Sequence, residues 1–185
     1  MGVRIIQKED KDFGENLLKK SDPVGLEEIN TAPIKKILDD MFVALDSQKD
    51  GVALAAPQIN ILKRIFVISP RIIDEGLFDL YQIKIRGVKK FPLVFINPEI
   101  IKISKDKKKM EEGCLSVRPW YGVVKRASRA TVKAINENGE EFEMDGQGLI
   151  AQIFQHEIDH LNGQLFIDKA KNLRKQFVDN EDKNV

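Results

Sequence analysis

Residues 146–162 read Gly146-Gln147-Gly148-Leu149-Ile150-Ala151-Gln152-Ile153-Phe154-Gln155-His156-Glu157-Ile158-Asp159-His160-Leu161-Asn162. Leu149, Ile150, Ile153, Phe154, Ile158 and Leu161 recur at helical spacing, with Asp145 as candidate cap and Gly163 as stop. The chain's 2 histidines, His156 and His160, both fall in this stretch, four residues apart. On a helix that spacing stacks the two imidazoles one turn apart on one face, where they can grip a single cation. Randomly placed, two histidines in a chain of this length would fall four apart about 1% of the time, before asking for Glu157 beside the first. The plain alternative is a pair of core or surface histidines on an amphipathic helix.

Catalytic metals usually take three protein donors and leave one position open. A third histidine at the spacing H-E-x-x-H-x-x-G-x-x-H would stand at position 166, which is Phe166. Glu181, the one glutamate after the motif, lies in a polar tail unsuited to rigid coordination. The remaining candidate is Cys114, whose thiolate suits zinc or iron. A lone cysteine is more often a small buried hydrophobe, so its neighbours matter: Glu111-Glu112-Gly113-Cys114-Leu115-Ser116.

Outward from the helix, Ala130 to Asn136 and Glu141 to Met144 alternate around Asn138-Gly139, a pair that accepts the positive φ angles of a tight hairpin turn. Ile34, Ile37, Leu38, Met41, Phe42 and Leu45 mark a second amphipathic helix, with Thr31 as cap and Pro33 in its first turn. The strip Val52-Ala53-Leu54-Ala55-Ala56-Pro57-Gln58 is too small to anchor a core and must run close to something else. Strands are expected at Arg64 to Ser69, Leu93 to Ile96 and Ile100 to Ile103, with a turn at Asn97-Pro98 between the last two. Pro70 to Phe91 reads as a long loop or insertion, Lys105 to Lys109 as a charged loop, and Lys169 to Phe177 as a further short helix.

The 185 residues suit a single domain spanning 1–185, with 178–185 as a frayed tail. Apolar residues at 42% against 32% charged give a globular balance, and 30 basic against 29 acidic side chains leave +1, which predicts no DNA partner. No apolar run approaches the roughly 20 residues needed to cross a bilayer, and Met1 to Arg4 leads into no secretory block, so a cytoplasmic location is expected. With a single cysteine no internal disulfide can form.

Taken together, Gly51 to Gln58, Glu112 to Ser116 and Gln155 to His160 resemble the three ordered motifs of the peptide deformylase family, G-φ-G-φ-A-A-x-Q, E-G-C-L-S and Q-H-E-x-D-H. The resemblance extends more loosely from the first helix to about residue 177. It implies an α+β fold in which mainly antiparallel sheets pack around the central metal-binding helix. The activity implied is hydrolysis of the N-formyl group from the initiator methionine of nascent polypeptides. It also implies Fe(II), held by Cys114, His156 and His160, although donor chemistry alone favours zinc; zinc or nickel is expected in purified protein.

In the roles so implied, Glu157 accepts and returns the proton of the attacking water, and Gln58 and the Leu115 N–H stabilise the oxyanion. Gly51, Val52, Ala53 and Gly113 pair with the backbone of the peptide, leaving its sequence largely unread beyond methionine. Ala53 departs from the family's usual glycine, which is harmless if the backbone there has ordinary negative φ. The cluster Lys169, Lys171, Arg174 and Lys175 offers contact with ribosomal RNA near the exit tunnel, the plainer reading being a solvated helix face. Two rival readings are a different metallohydrolase with another third donor, and a non-catalytic module stapled by a metal, which would need an Asp or Glu as fourth ligand.

Overall fold

A computed structural model describes residues 3–74 and 83–176. Its larger sheet joins β1 (Ala53–Ala55), β2 (Ile65–Ile68), β3 (Lys84–Arg86), β4 (Val94–Ile103), β7 (Arg129–Ile135) and β8 (Glu141–Gln147) in the order β1-β2-β4-β7-β8-β3. A smaller sheet joins β5 (Lys107–Gly113), β6 (Trp120–Ala127) and β9 (Lys171–Lys175) in the order β5-β6-β9. Every pairing of named strands is antiparallel.

Helices α1 (Ala32–Asp46) and α3 (Leu149–Leu161) cover opposite faces of the larger sheet, and a one-turn α2 spans Arg71–Asp74. Period-two alternation in β2 sends Phe66 and Ile68 toward α3, and Ile65 and Val67 toward α1. Both faces are buried, so all four residues are apolar. On the α3 side Phe66 stacks on Phe95 at 4.4 Å, and Phe142 and Phe154 complete an aromatic cluster. On the α1 side Ile34, Leu38, Met41 and Leu45 close over Leu54, Val67 and Ile96. The strip of small residues forms β1 at the sheet's edge, with Ala53 and Ala55 on the α3 side and Leu54 under α1.

Helix α3 is gripped between the two sheets. One face lies on the aromatic cluster, while Gln155 on the other donates to the Ala127 carbonyl and accepts from the Ala127 N–H, both at 3.0 Å. Its start differs from expectation. Asp145 is not the cap; it belongs to β8, where it takes hydrogen bonds from Thr131 and Arg86. The N-cap is Gly148, at φ 57° and ψ −128°, a combination open in practice only to glycine, and it turns the chain sharply from β8 into the helix. Gly163, at φ +71°, follows the helix end as expected.

Other boundaries also shift. Thr31 precedes α1, but its hydroxyl donates to the Glu28 carbonyl instead of capping. Asn97-Pro98 does not break the chain into two strands. Asn97 adopts φ +50°, bonds the Val24 N–H and carbonyl with its side chain, and leaves β4 continuous around a bulge. The hairpin after β7 is present, but only Gly139 carries positive φ (+82°), because Asn136 Oδ1 accepts the N–H groups of Asn138 and Glu140 and builds a longer turn. Lys107 to Lys109 belong to β5, whose outer face meets water and so lacks an apolar alternation. The expected tail helix is the strand β9, fully exposed and paired by its backbone to β6. Of the expected long loop, α2 and β3 are ordered elements, and residues 75–82 lie outside the described residues, as does the tail 178–185.

Candidate metal centre

Three chain segments converge where the two sheets meet α3. From α3 come His156, Glu157 and His160; from the end of β5 comes Cys114; from the short 3-10 turn after β1 comes Gln58. Cys114 Sγ lies 3.2 Å from His160 Nε2, and one donor atom each from Cys114, His156 and His160 falls within 4.8 Å of the others. The rings of His156 and His160 are 4.9 Å apart, one turn along the helix. Cys114 is 9% exposed and His160 1%, so the set is shielded from bulk water.

The orientation of His156 is set from behind. Its Nδ1 lies 3.1 Å from Glu112 Oε2, which turns Nε2 toward Cys114 and His160. Glu112 is in turn gripped by Arg126 at 2.7 and 2.9 Å, and Arg126 reaches Asp159 at 2.5 Å. Burial opposes ionisation of Glu112, yet Arg126 and then His156 hold its carboxyl down to about 2. Burial would also depress His156, but Cys114 and Glu112 on its two sides outweigh it and push it well above the ordinary range. The pocket therefore concentrates negative character that a cation would balance. Burial drives His160 the other way, well below 6.5, to the neutral form that donates a lone pair. A thiolate with two imidazoles suits a divalent transition metal such as iron, zinc or nickel.

Glu157 is 4% exposed, and its Oε2 has no hydrogen-bond partner among the described residues. Burial pushes its carboxyl up to about 7, poised to exchange a proton near neutrality. Gln58, 2% exposed, fixes its amide by accepting from the Ala55 N–H at 2.8 Å and donating to Ser116 Oγ at 3.1 Å and Cys114 Sγ at 3.6 Å. The Leu115 carbonyl accepts from Gln7 Nε2 at 2.9 Å, the Gln58 carbonyl from the Ile6 N–H and the Ser116 carbonyl from the Lys8 N–H, each at 2.8 Å. Residues 6–8 thus stitch the two loops together.

A cavity of about 210 Å³ opens onto this centre. Gly51, Val52, Ala53 and Gln58 form one wall and Glu111 to Leu115 the other, with Leu149, Gln152, Ile153, His156 and Glu157 beneath. Gly113 must be glycine, because a Cβ there would come within 2.5 Å of the Tyr121 ring. Of the expected metal, catalytic and peptide-binding residues, all line the cavity except His160, whose Nε2 lies 3.2 Å from Cys114 Sγ; the basic cluster Lys169, Lys171, Arg174 and Lys175 lies outside it. Ala53 has no positive φ, so its methyl group is unstrained. The sequence reading missed Arg126 and Asp159, which fix His156 through Glu112, Ser116, which fixes Gln58, and Asp50 and Arg118 at the rim. Glu112 and Ser116 carried a signal as the ends of the cysteine motif, and Asp159 as the fixed acid of the histidine motif; Arg126, Asp50 and Arg118 carried none.

The family profile described as Polypeptide deformylase matches residues 3–176. The chain is 44% identical over 158 residues to a peptide deformylase of Carboxydothermus hydrogenoformans, spanning 82% of this chain and 90% of that protein. It is 41% identical over 154 residues to peptide deformylase 2 of Clostridium acetobutylicum, spanning 83% and 88%. An actinonin-bound class I type b peptide deformylase from Acinetobacter baumannii superposes with a TM-score of 0.74 at 31% identity, over 92% of this chain and 99% of that one. The same enzyme with Met-Ala-Ser bound gives 0.73 at 32% identity, over 91% and 98%.

Proposed function

The chain belongs to the peptide deformylase family of metal-dependent hydrolases, and from that premise we propose how its residues divide the work of removing the formyl group from the initiator methionine of nascent polypeptides. Cys114, His156 and His160 would hold the metal. When bound, the cation supplies Lewis acidity and makes a nearby water acidic enough to attack at neutral pH. Glu157 accepts the proton of the attacking water on Oε2 and returns it to the departing amine nitrogen as formate leaves. Gln58 Nε2 and the Leu115 N–H donate to the oxyanion that develops on the formyl oxygen.

The observation that carries this reading is the meeting of Cys114 Sγ with both imidazoles beside a buried carboxyl whose Oε2 has no partner among the described residues. The peptide lies along β1, the edge strand of the larger sheet, and its backbone pairs with Gly51, Val52, Ala53 and Gly113. Leu149 and Ile153 offer the methionine side chain an apolar contact. The physiological metal is Fe(II), replaced by zinc or nickel in aerobically purified protein, and the enzyme works in the cytoplasm as a single catalytic domain.

For ribosomal RNA we propose contact through Lys169, Lys171, Arg174 and Lys175. Lys169 is paired with Asp159, Arg174 with Glu111, and Lys175 lies over the Trp120 ring. Charge reversal at Lys171 is therefore the cleanest variant, and loss of co-sedimentation with ribosomes is its readout.

Anaerobically purified protein should release formate from formyl-Met-Ala-Ser, with about one metal per chain measured on the same sample. Glu157→Ala should keep the metal and lose about 10²- to 10⁴-fold in turnover. Near-wild-type turnover of that variant would exclude Glu157 from proton transfer.

A further inference from the structure

Arg118 follows the cysteine loop and lies at the rim of the cavity, where Nη2 donates to Asp50 Oδ1 at 2.6 Å and to Gln48 Oε1 at 3.4 Å. These bonds tie the β5–β6 connection to the segment leading into β1. The Asp50 side is firmly based. Arg71 donates to the carbonyls of Lys49 at 2.8 Å and Gln48 at 3.0 Å, fixing the backbone on which Asp50 sits. Among the described residues all of Arg118's hydrogen bonds leave from Nη2, so Nε and Nη1 carry no partner, and the side chain keeps 29% exposure. A planar guanidinium held by one nitrogen, with the three N–H groups of Nε and Nη1 left over at the edge of a cleft, is preorganised to meet a carbonyl or carboxylate oxygen.

Its distance from the reacting end says which oxygen. The Gln58 amide is anchored at Ala55, and Asp50 lies five residues earlier along the strip. Only Ala53–Ala55 is strand, and Asp50 sits in the turn before it, where the Gly51 N–H donates to the Gln48 carbonyl, so at about 3.3 Å per residue the two lie at most roughly 16 Å apart, within reach of a formyl group and three or so amino acids. A peptide whose formyl end sits beside Gln58 and whose backbone follows β1 must leave the cleft past Arg118. We propose that Arg118, steadied by Asp50, binds the backbone of the substrate at about its third residue and so positions peptides longer than formyl-Met-Ala. The proposal rests on the deformylase reading of the cleft.

The test compares formyl-Met-Ala with formyl-Met-Ala-Ser on the metal-loaded wild type and on Arg118→Ala, Arg118→Lys and Asp50→Asn. Arg118→Ala should raise KM for the tripeptide about fivefold more than for the dipeptide, the effect expected of one partly exposed charged hydrogen bond, with the loss falling on KM and not on kcat. Arg118→Lys, which keeps the charge without the fork, should give an intermediate ratio, and Asp50→Asn, which frees the guanidinium to wander, should shift it in the same direction. Equal KM shifts on both peptides, or none, would overturn the proposal, as would a loss confined to kcat. If wild type released formate from neither peptide, the deformylase reading itself would fail, an outcome separate from the others.

Discussion

Replacing Glu112 by Gln keeps the side chain's shape and removes its charge from the interior. Glu112 and Arg126 have side chains only 2% and 5% exposed, so their ion pair lies beyond effective screening. Removing one partner of a buried pair typically costs about 3–5 kcal/mol. Asp159, 2.5 Å from Arg126, still balances part of the charge and places this case at the low end. Depression of the Glu112 carboxyl from 4.5 to about 2 points to the same size, about 3 kcal/mol at about 1.4 kcal/mol per pKa unit. For a chain of this length that corresponds to a melting temperature lower by about 6–12 °C. The variant also frees His156 to rotate, and loss of such a support weakens metal binding about 10- to 100-fold. Urea unfolding in excess chelator isolates the first effect, and competition with a chromophoric chelator measures the second. Metal-free stability within about 0.5 kcal/mol of wild type, together with metal affinity within about twofold, would refute the claim that Glu112 joins Arg126 to the metal centre.

Cys114→Ser should purify with well under one metal per chain, because a hydroxyl stays protonated where a thiol ionises; full metal content by atomic absorption would point to a different third donor. Arg86 links β3 to β8 through Glu143 and Asp145 on an exposed face, so Arg86→Ala should lower stability only slightly at pH 7. Arg86, ahead of Thr131, holds the Asp145 carboxyl below its usual 3.8. That contribution is present above pH 3.8 and lost as pH falls through the lower folded value, so the stability gap between wild type and variant should close in acid. A gap that widened on acidification would show that the pairing does not stabilise the fold.

What the sequence made legible was local. His156, Glu157 and His160 share one helix turn, β2 shows as a short run of apolar residues, and the hairpin after β7 advertises itself through alternation and turn residues. Cys114 was recoverable because few other donors were available. The support behind these residues was hidden for a different reason. Arg126 sits opposite Lys108 in the register of β5 and β6, one position out of phase with the pairs facing water, so a strand that reads as charged and solvated turns some of its charges inward. No spacing in the sequence reveals that phase. The start of α3 was misplaced because Asp145 has the chemistry of a cap, while the actual turn depends on a backbone angle that only Gly148 supplies. The last strand was misread because all five residues of β9 are exposed, so no apolar alternation marks it, and its backbone pairing with β6 leaves no trace in the residue pattern.

Residues 6–8 are made before their partners Gln58, Leu115 and Ser116, and α3 is made later still. The segment therefore completes its bonds only once the loop after Cys114 exists. Fragments ending before α3 should be unable to retain a cation, and trimming the chain back past Lys8 should loosen the oxyanion donors while leaving the helix-borne imidazoles in place. Competence would then arrive in one step, late in synthesis, with both ends of the described chain already in hand.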